Sequence, residues 1–363
     1  MKPEKARFTR DLLKWHEGKN HRIMPWKGEK NPYKIWLSEV ILQQTRVDQG
    51  KAYYENFLTA FPTIHDLAVA PEQKVFKLWE GLGYYNRCRN LIATAKKIDA
   101  EHNGEFPADY ETLLSLKGIG PYTAAAIASF AFRLPYAVID GNVTRVLSRY
   151  FGDFTPIDST AGKKLFSHLA DELLDREQSD IYNQAIMDFG ATICLPRNPL
   201  CTDCVFYSVC RARKQDWTTR LPVKEKSLRR RQRWFYYFIV TTPDNCVYIR
   251  QRTAKDIWSG LFEFVLWESD QPVFFDDFQL PGSDLARQLF GKQSLTVKHI
   301  SRIHRQELTH QTIQGQFITI GIDTPLSSPD GYVPVTWSQL TAYAFPGFIN
   351  AWLQGDAPAQ TLF

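Results

Sequence analysis

The chain contains no run of 18 apolar residues, so it offers no helix of the usual membrane-spanning kind. Its opening residues, MKPEKARFTRDLLKW, hold no apolar signal core. An intracellular, reducing setting is therefore expected, and there six cysteines point to metal or spare thiols before disulfides. A strong charge of one sign is also missing: a net charge of +5 permits a nucleic-acid partner without requiring one. Strand-period alternation is absent from roughly the first two-thirds of the sequence. What is there is 44% hydrophobic and 14% aromatic over 363 residues, enough for a folded protein of two domains.

From Phe8 to about Pro62 apolar residues recur at helical spacing, broken at Pro25 and Pro32. The second helix reads PYKIWLSEVILQQTRV, with Ile35, Glu39, Leu42 and Arg46 on one stripe. Glu39 then lies among apolar neighbours, where burial would raise its pKa and keep its proton near neutrality; a solvated or hydrogen-bonded helical glutamate is the alternative. Further helices are expected at Pro71–Gly81, Tyr84–Glu101, Ala161–Leu174 and Ile181–Thr192.

The stretch LKGIGPYTAAAIASFAFRLPYAVIDGNVTR, from Leu116 to Arg145, carries the strongest local signal. Gly118 and Gly120 can take backbone conformations closed to other residues, and Pro121 suits the first position of a helix. The pattern predicts a helix–hairpin–helix whose open amides form a site for one phosphate; an ordinary turn between two core helices fits the spacing equally well. Asp140 opens DGNVTRVLSRY as a helix N-cap, and capping amides would hold it ionised. One carboxyl pushed toward neutral and one toward charged is the split expected of a two-carboxylate glycosidic mechanism.

Cys194, Cys201, Cys204 and Cys210 follow C-x6-C-x2-C-x5-C, the spacing of a metal or cluster site, with zinc and iron–sulfur both open. Cys88 and Cys246 read as ordinary buried thiols. The polar segment KQDWTTRLPVKEKSLRRRQR reads as a linker whose arginines are either solvated or turned to phosphates. Beyond it WFYYFIV, NCVYIRQR, LFEFVLW, LTVKHISRI and GQFITIGI read as strands, with helices near Asp284–Phe290 and Phe348–Leu353.

Taken together, SEVILQQTRV, WEGLGYYNRCRN, LKGIGPYTAAAI, VIDGNVTRVLSR and the four-cysteine loop resemble the helix–hairpin–helix superfamily of base-excision DNA glycosylases, and within it the MutY-type adenine DNA glycosylases. The resemblance implies a multidomain chain. An all-α glycosylase domain (1–215) would combine a six-helix barrel at about 27–134 with a cluster domain from 1–26 and 135–215. A linker (216–233) would lead to an α+β, Nudix-like domain for lesion recognition (234–363). No G-x5-E-x7-R-E-U-x-E-E-x-G-U box occurs in it, GLFEFVLWESD being the nearest approach, so nucleotide hydrolysis is not expected.

The same resemblance implies a [4Fe–4S] cluster on the four cysteines. Its substrate would be adenine opposite 8-oxoguanine or guanine in duplex DNA, flipped out of the stack. Glu39 would protonate adenine N7, and Asp140 would stabilise the oxocarbenium or bond to it transiently, with Tyr122 and Asn142 as helpers. Arg22, Trp26 and Gln184 would line the adenine pocket. Gln44, Thr45, Tyr84, Gly118 and Gly120 would touch DNA. Leu308, Thr309 and His310 stand where the family has a Phe-Ser-His loop that reads 8-oxoguanine, so the aromatic contact is lost while a hydroxyl and the histidine remain.

Two rivals are distinguishable. Endonuclease III-type relatives carry a Schiff-base lysine where this chain has Tyr122, so a monofunctional glycosylase is expected. A non-catalytic, cluster-bearing DNA-binding or redox-sensing protein would have no need of both Glu39 and Asp140. The resemblance further implies a monomer that is cytoplasmic and nucleoid-associated. The C-terminal AQTLF is similar to clamp-binding tails, which makes a sliding clamp a candidate partner; an inert frayed end is the alternative.

Overall fold

The computed structural model describes residues 3–43, 45, 47–225, 230–275, 280, 283–326, 331–355 and 357. The expectations for Gln44, Arg46 and the AQTLF tail fall outside them. The chain forms two compact units, Met1–Val69 with Asn90–Ser227, and Ala70–Arg89 with Leu228–Phe363. No helix among the described residues is long and apolar enough to cross a membrane.

Helices come first, in the order α1 (Pro3–Lys19), α2 (Pro32–Leu42), α3 (Val47–Ala60), α4 (Ile64–Val69), α5 (Glu72–Trp79), α6 (Tyr85–Glu101), α7 (Tyr110–Ser115), α8 (Pro121–Phe132), α9 (Gly141–Phe151), α10 (Thr160–Leu173), α11 (Ser179–Thr192) and α12 (Arg211–Lys214). Asn31 caps α2 and Pro32 occupies its first turn. The helix expected to run on through QQTRV stops at Leu42, and α3 starts afresh at Val47. Helices α2 and α8 pack on each other. Neither has a polar face: Tyr33 and Ile35 to Ile41 of α2 are buried, as are Thr123 to Ser129 of α8. Such helices are central by composition. Glu39, in the middle of the buried run of α2, is therefore buried too.

A second core in this unit joins α1 to α9, α10 and α11 through Phe8, Leu12, Trp15, Leu147, Tyr150, Phe166 and Phe189. Phe206 of the cysteine loop stacks on Phe8 with centroids 4.7 Å apart and wedges edge-on against Tyr150. The segment read as a linker is fastened here over its first part: Arg149 Nε donates to the Leu221 carbonyl, the Ile157 amide to Val223 and the Glu225 amide to Asp158.

In the second unit the strands are β1 (Arg231–Thr241), β2 (Cys246–Gln251), β3 (Phe262–Glu263), β4 (Val265–Ser269), β5 (Leu295–Ile300), β6 (His304–Glu307), β7 (Gln311–Ile322) and β8 (Val333–Thr336), with α13 (Asp284–Phe290) and α14 (Gly347–Gly355). They form one sheet with the path β3-β2-β1-β7-β5, while β4, β8 and β6 pair with β1, β2 and β7. Strands β1 and β7 run parallel through eleven paired positions, from Arg231↔Gln311 to Thr241↔Gly321. Of the described arginines in the run, Arg230 and Arg231 are exposed and only Arg233 is buried. Arg233 is 7% exposed and bonds Asp256, Glu268 and Gln311, while Arg230 pairs with Glu307. Helix α5 belongs to this unit: Lys77 donates to the Tyr343 carbonyl, and Glu80 accepts from the Phe345 amide. Cys88 is fully buried as expected; Cys246 is only partly so, at the start of a strand that leaves its side chain near solvent.

Candidate active site

The hairpin Leu116–Gly120 joins α7 to α8. Gly118 has φ +80°, and a Cβ there would lie 2.5 Å from that of Asn90, so the position requires glycine. Gly120 differs from expectation. As the N-cap of α8 it has φ −90° in the extended region, and a Cβ would meet nothing within 4 Å. It places no side chain over the start of α8, where the first amides of a helix lack internal partners.

Glu39 is 8% exposed and accepts a hydrogen bond from the Tyr122 hydroxyl at 2.5 Å on Oε2. Burial raises its pKa to about 7, the Tyr122 bond opposes that rise, and the charge of Asp140 adds to it. Tyr122 sits in the first turn of α8, so the hairpin that starts this helix also brings the phenol to Glu39. The phenol itself is pushed far up by burial and by the charges of Glu39 and Asp140, so it stays a donor.

Asp140 caps α9, accepting from the Val143 amide at 2.7 Å on Oδ1 and from Asn142 Nδ2 at 2.7 Å on Oδ2. The expectation that capping leaves it on the charged side is corrected here. Its pKa is raised, because burial outweighs the Val143 and Asn142 bonds and the Arg145 charge. The two carboxyls are not split by direction of shift. They are split by supply: Asp140 has amide, carboxamide and cation partners, whereas a phenol is the side chain bonded to Glu39.

Asn142 is held in turn. Arg145, 7% exposed, donates to Asn142 Oδ1 and to the Gly190 carbonyl, both at 2.8 Å. Helix α11 approaches so closely that a Cβ on Gly190 would lie 2.7 Å from that of Asn142. Arg145 also bonds the Cys194 carbonyl at 2.8 Å, and Arg149 reaches Cys194 Sγ at 3.4 Å.

Glu39, Asp140, Tyr122, Asn142, Arg22, Trp26, Gln184, Gly118 and Gly120 line one cavity of about 720 Å³. Glu39, Trp26 and Gln184 also line a second, of about 170 Å³, with His16, Lys30 and Asp180. Glu39 therefore stands between two hollows. Thr45 lies in the bend after α2, its amide bonded to the Leu42 carbonyl. The sequence reading overlooked Gln43, which lines the larger cavity and bonds Thr123, and also Arg145 and Asp188. Polar residues four positions from an identified one on the same helix would have pointed to Asp188, which follows Gln184 on α11.

In the second unit Leu308, Thr309 and His310 form the turn between β6 and β7, closed by the Leu308 amide on the Gln311 carbonyl at 2.8 Å. Thr309 Oγ1 lies 2.7 Å from the Tyr84 hydroxyl, and Tyr84 holds φ +50°. Both line a cavity of about 630 Å³ with Arg87, whose guanidinium lies 5.1 Å from the Tyr84 ring centre and 5.4 Å from that of Trp79.

The four cysteines line a single hollow with Arg149, Leu200, Tyr207 and Arg213. Burial raises the thiols of Cys201, Cys204 and Cys210, Cys204 to about 12, and the charge of Cys194 adds to each. Thiols that repel one another's ionisation across a shared hollow fit a cationic group bound by all four. Four thiols around one hollow are a donor set that fits a metal ion or a cluster.

Residues 37–167 match the profile of the HhH-GPD superfamily of base excision DNA repair proteins. An adenine DNA glycosylase of Buchnera aphidicola subsp. Baizongia pistaciae is 36% identical over 257 residues, covering 71% of this chain and 73% of the relative. The chain belongs to the adenine DNA glycosylase family. The human adenine DNA glycosylase is 41% identical over 221 residues, 58% of this chain and 40% of the human one. Among solved structures, a thermostable thymine-DNA glycosylase superposes with a TM-score of 0.54 at 28% identity, covering 58% of this chain and 97% of its own. An endonuclease III trapped on DNA superposes at 0.51 with 22% identity over 60% of this chain and 99% of its own, which shows the fold. Members of the family are base-excision enzymes, and this chain is a DNA glycosylase of that group.

Proposed function

We propose that this glycosylase excises adenine paired with 8-oxoguanine or guanine in duplex DNA, hydrolysing the N-glycosidic bond and leaving the strand whole. The observation that carries the reading is the buried Glu39, with a pKa of about 7 and sharing a cavity with Asp140. A carboxyl that keeps its proton at neutral pH is a competent general acid.

In this mechanism Glu39 gives its proton to adenine N7, and the C1′–N9 bond breaks with its electron pair going to the base. The Asp140 carboxylate, steadied by Val143 and Asn142, stabilises the oxocarbenium at C1′ or bonds to it transiently. Water adds to C1′, and the Glu39 carboxylate takes up the proton it releases. Tyr122 keeps Glu39 oriented, and a phenol has no amine with which to form a Schiff base. Arg22, Trp26 and Gln184 enclose the base. The amides at Gly118–Gly120 hold a phosphate without reading sequence, and Thr45 and Tyr84 lie along the duplex. The Leu308–His310 turn reads the base opposite, from an α+β domain of Nudix-like design. Cys194, Cys201, Cys204 and Cys210 hold a [4Fe–4S] cluster, which when bound ties four points of one loop together.

Single-turnover adenine release from an A·8-oxoguanine duplex tests the reading. Glu39→Gln is expected to lose activity by about a hundredfold or more while still binding the duplex, and wild type is expected to leave the strand uncut before alkali. A normal release rate in Glu39→Gln, or strand scission trapped by borohydride, would overturn it.

A further inference from the structure

The cavity that holds Tyr84 and Thr309 has two walls that lie far apart in the chain. One is the Leu308–His310 turn with Gln311, and the other is the loop 256–258 between β2 and β3. Arg233 of β1 reaches both. It is 7% exposed, and each of its N–H groups has an acceptor. Nε and Nη2 donate to the two oxygens of Glu268 at 2.6 and 2.7 Å. Nη1 and Nη2 donate to the two oxygens of Asp256 at 2.9 and 2.7 Å, and Nη1 also donates to Gln311 Oε1 at 3.0 Å. The guanidinium carbon lies 4.8 Å from the centre of the Phe235 ring, so one face is backed as well.

Two bonds fasten the β7 end of the turn to β1. The His310 carbonyl accepts from the Arg231 amide at 3.0 Å, and the Gln311 side chain accepts from Arg233. On the other wall Arg252 of β2 also donates to Asp256, at 3.2 Å, so that carboxylate is gripped from two strands. A buried ion cluster adds little to stability, because drawing the charges out of water costs about as much as their attraction returns. What a planar guanidinium with paired contacts supplies is fixed geometry, which an ammonium cannot reproduce. Here the geometry it fixes is the gap beside Thr309.

We infer that Arg233 is a positioning residue that holds the Leu308–His310 turn and the loop 256–258 at a fixed separation, and that this separation sets how far 8-oxoguanine is preferred over guanine opposite the adenine. The inference rests on the reading of that turn given above.

The test measures single-turnover adenine release from A·8-oxoguanine and A·G duplexes in Arg233→Lys, which keeps the charge and gives up the fork. Release opposite 8-oxoguanine should fall about tenfold, and release opposite guanine by no more than about threefold. An arginine that only supports the fold would lower both rates together. Gln311→Leu cuts the tie to the turn and leaves both carboxylate pairs in place. It should show the same selectivity at about threefold, and it decides the matter if Arg233→Lys does not fold. Parallel losses on the two duplexes, or an unchanged ratio, overturn the inference. Thr309→Ala separates it from the reading beneath it. If that variant is selective and the Arg233 and Gln311 variants are not, the inference alone falls; if all three act equally on both duplexes, the reading role of the turn falls with it.

Discussion

The Tyr122 hydroxyl donates to Glu39 Oε2 at 2.5 Å, and that bond opposes the rise that burial imposes on the carboxyl. Its removal has a definite sign. In the proposed mechanism Glu39 acts as an acid in its protonated form, so the rate should fall as pH rises through its pKa of about 7. Tyr122→Phe withdraws the one bond that favours the charged form. The pKa rises further, and the alkaline limb of adenine release moves to higher pH by roughly one unit, the worth of a hydrogen bond to a charged group. A single-turnover profile across roughly pH 6–9 reads it. A limb that stays in place would show that Glu39 is not the group titrating.

The two hairpin glycines should behave differently. Gly118→Ala puts a Cβ on a residue with φ +80° and within 2.5 Å of the Asn90 side chain. It is expected to destabilise the helical unit by about 2–4 kcal/mol, from strain and overpacking together. Gly120→Ala places its methyl in open space at φ −90° and should stay within about 0.5 kcal/mol of wild type. Urea unfolding of the two variants makes the comparison. Equal losses would mean that the backbone, and not the space around it, selects both glycines.

These glycines also mark what a sequence can and cannot reveal. Spacing placed α8, the Asp140 cap and the strands around β1 and β7, because apolar period and capping chemistry are local. The end of α2 at Leu42 was not legible, since LQQTRV has no breaker and tertiary packing decides where such a helix stops. Strands β6 and β8 were missed because HRQE and VPVT have no apolar period; they exist through their pairing with β7 and β2. The candidate site divides the same way. Glu39 on an apolar helix announces its burial, whereas the direction of the Asp140 shift depends on how deeply α9 begins inside the fold. Asp188, which accepts from Asn20, Arg22, Lys27 and Gln184, could not be read as a hub, because the first three lie more than 160 residues upstream.

The last expectation concerns Thr309, whose Oγ1 lies 2.7 Å from the Tyr84 hydroxyl in a cavity that also holds Arg87. Two hydroxyls that satisfy each other are each free to turn one bond toward a ligand, and 8-oxoguanine differs from guanine by an added carbonyl and an N7 proton. Thr309→Ala removes one hydroxyl and unpairs the other. Its adenine release opposite 8-oxoguanine should fall about threefold to tenfold, with a smaller change opposite guanine, since about one hydrogen bond is at stake. Tyr84→Phe should cost less in the Thr309→Ala background than in wild type, because the two groups share a contact. Single-turnover rates on A·8-oxoguanine and A·G duplexes settle both points. Equal effects on the two duplexes would remove Thr309 from lesion reading and leave the Leu308–His310 turn as a structural corner between β6 and β7.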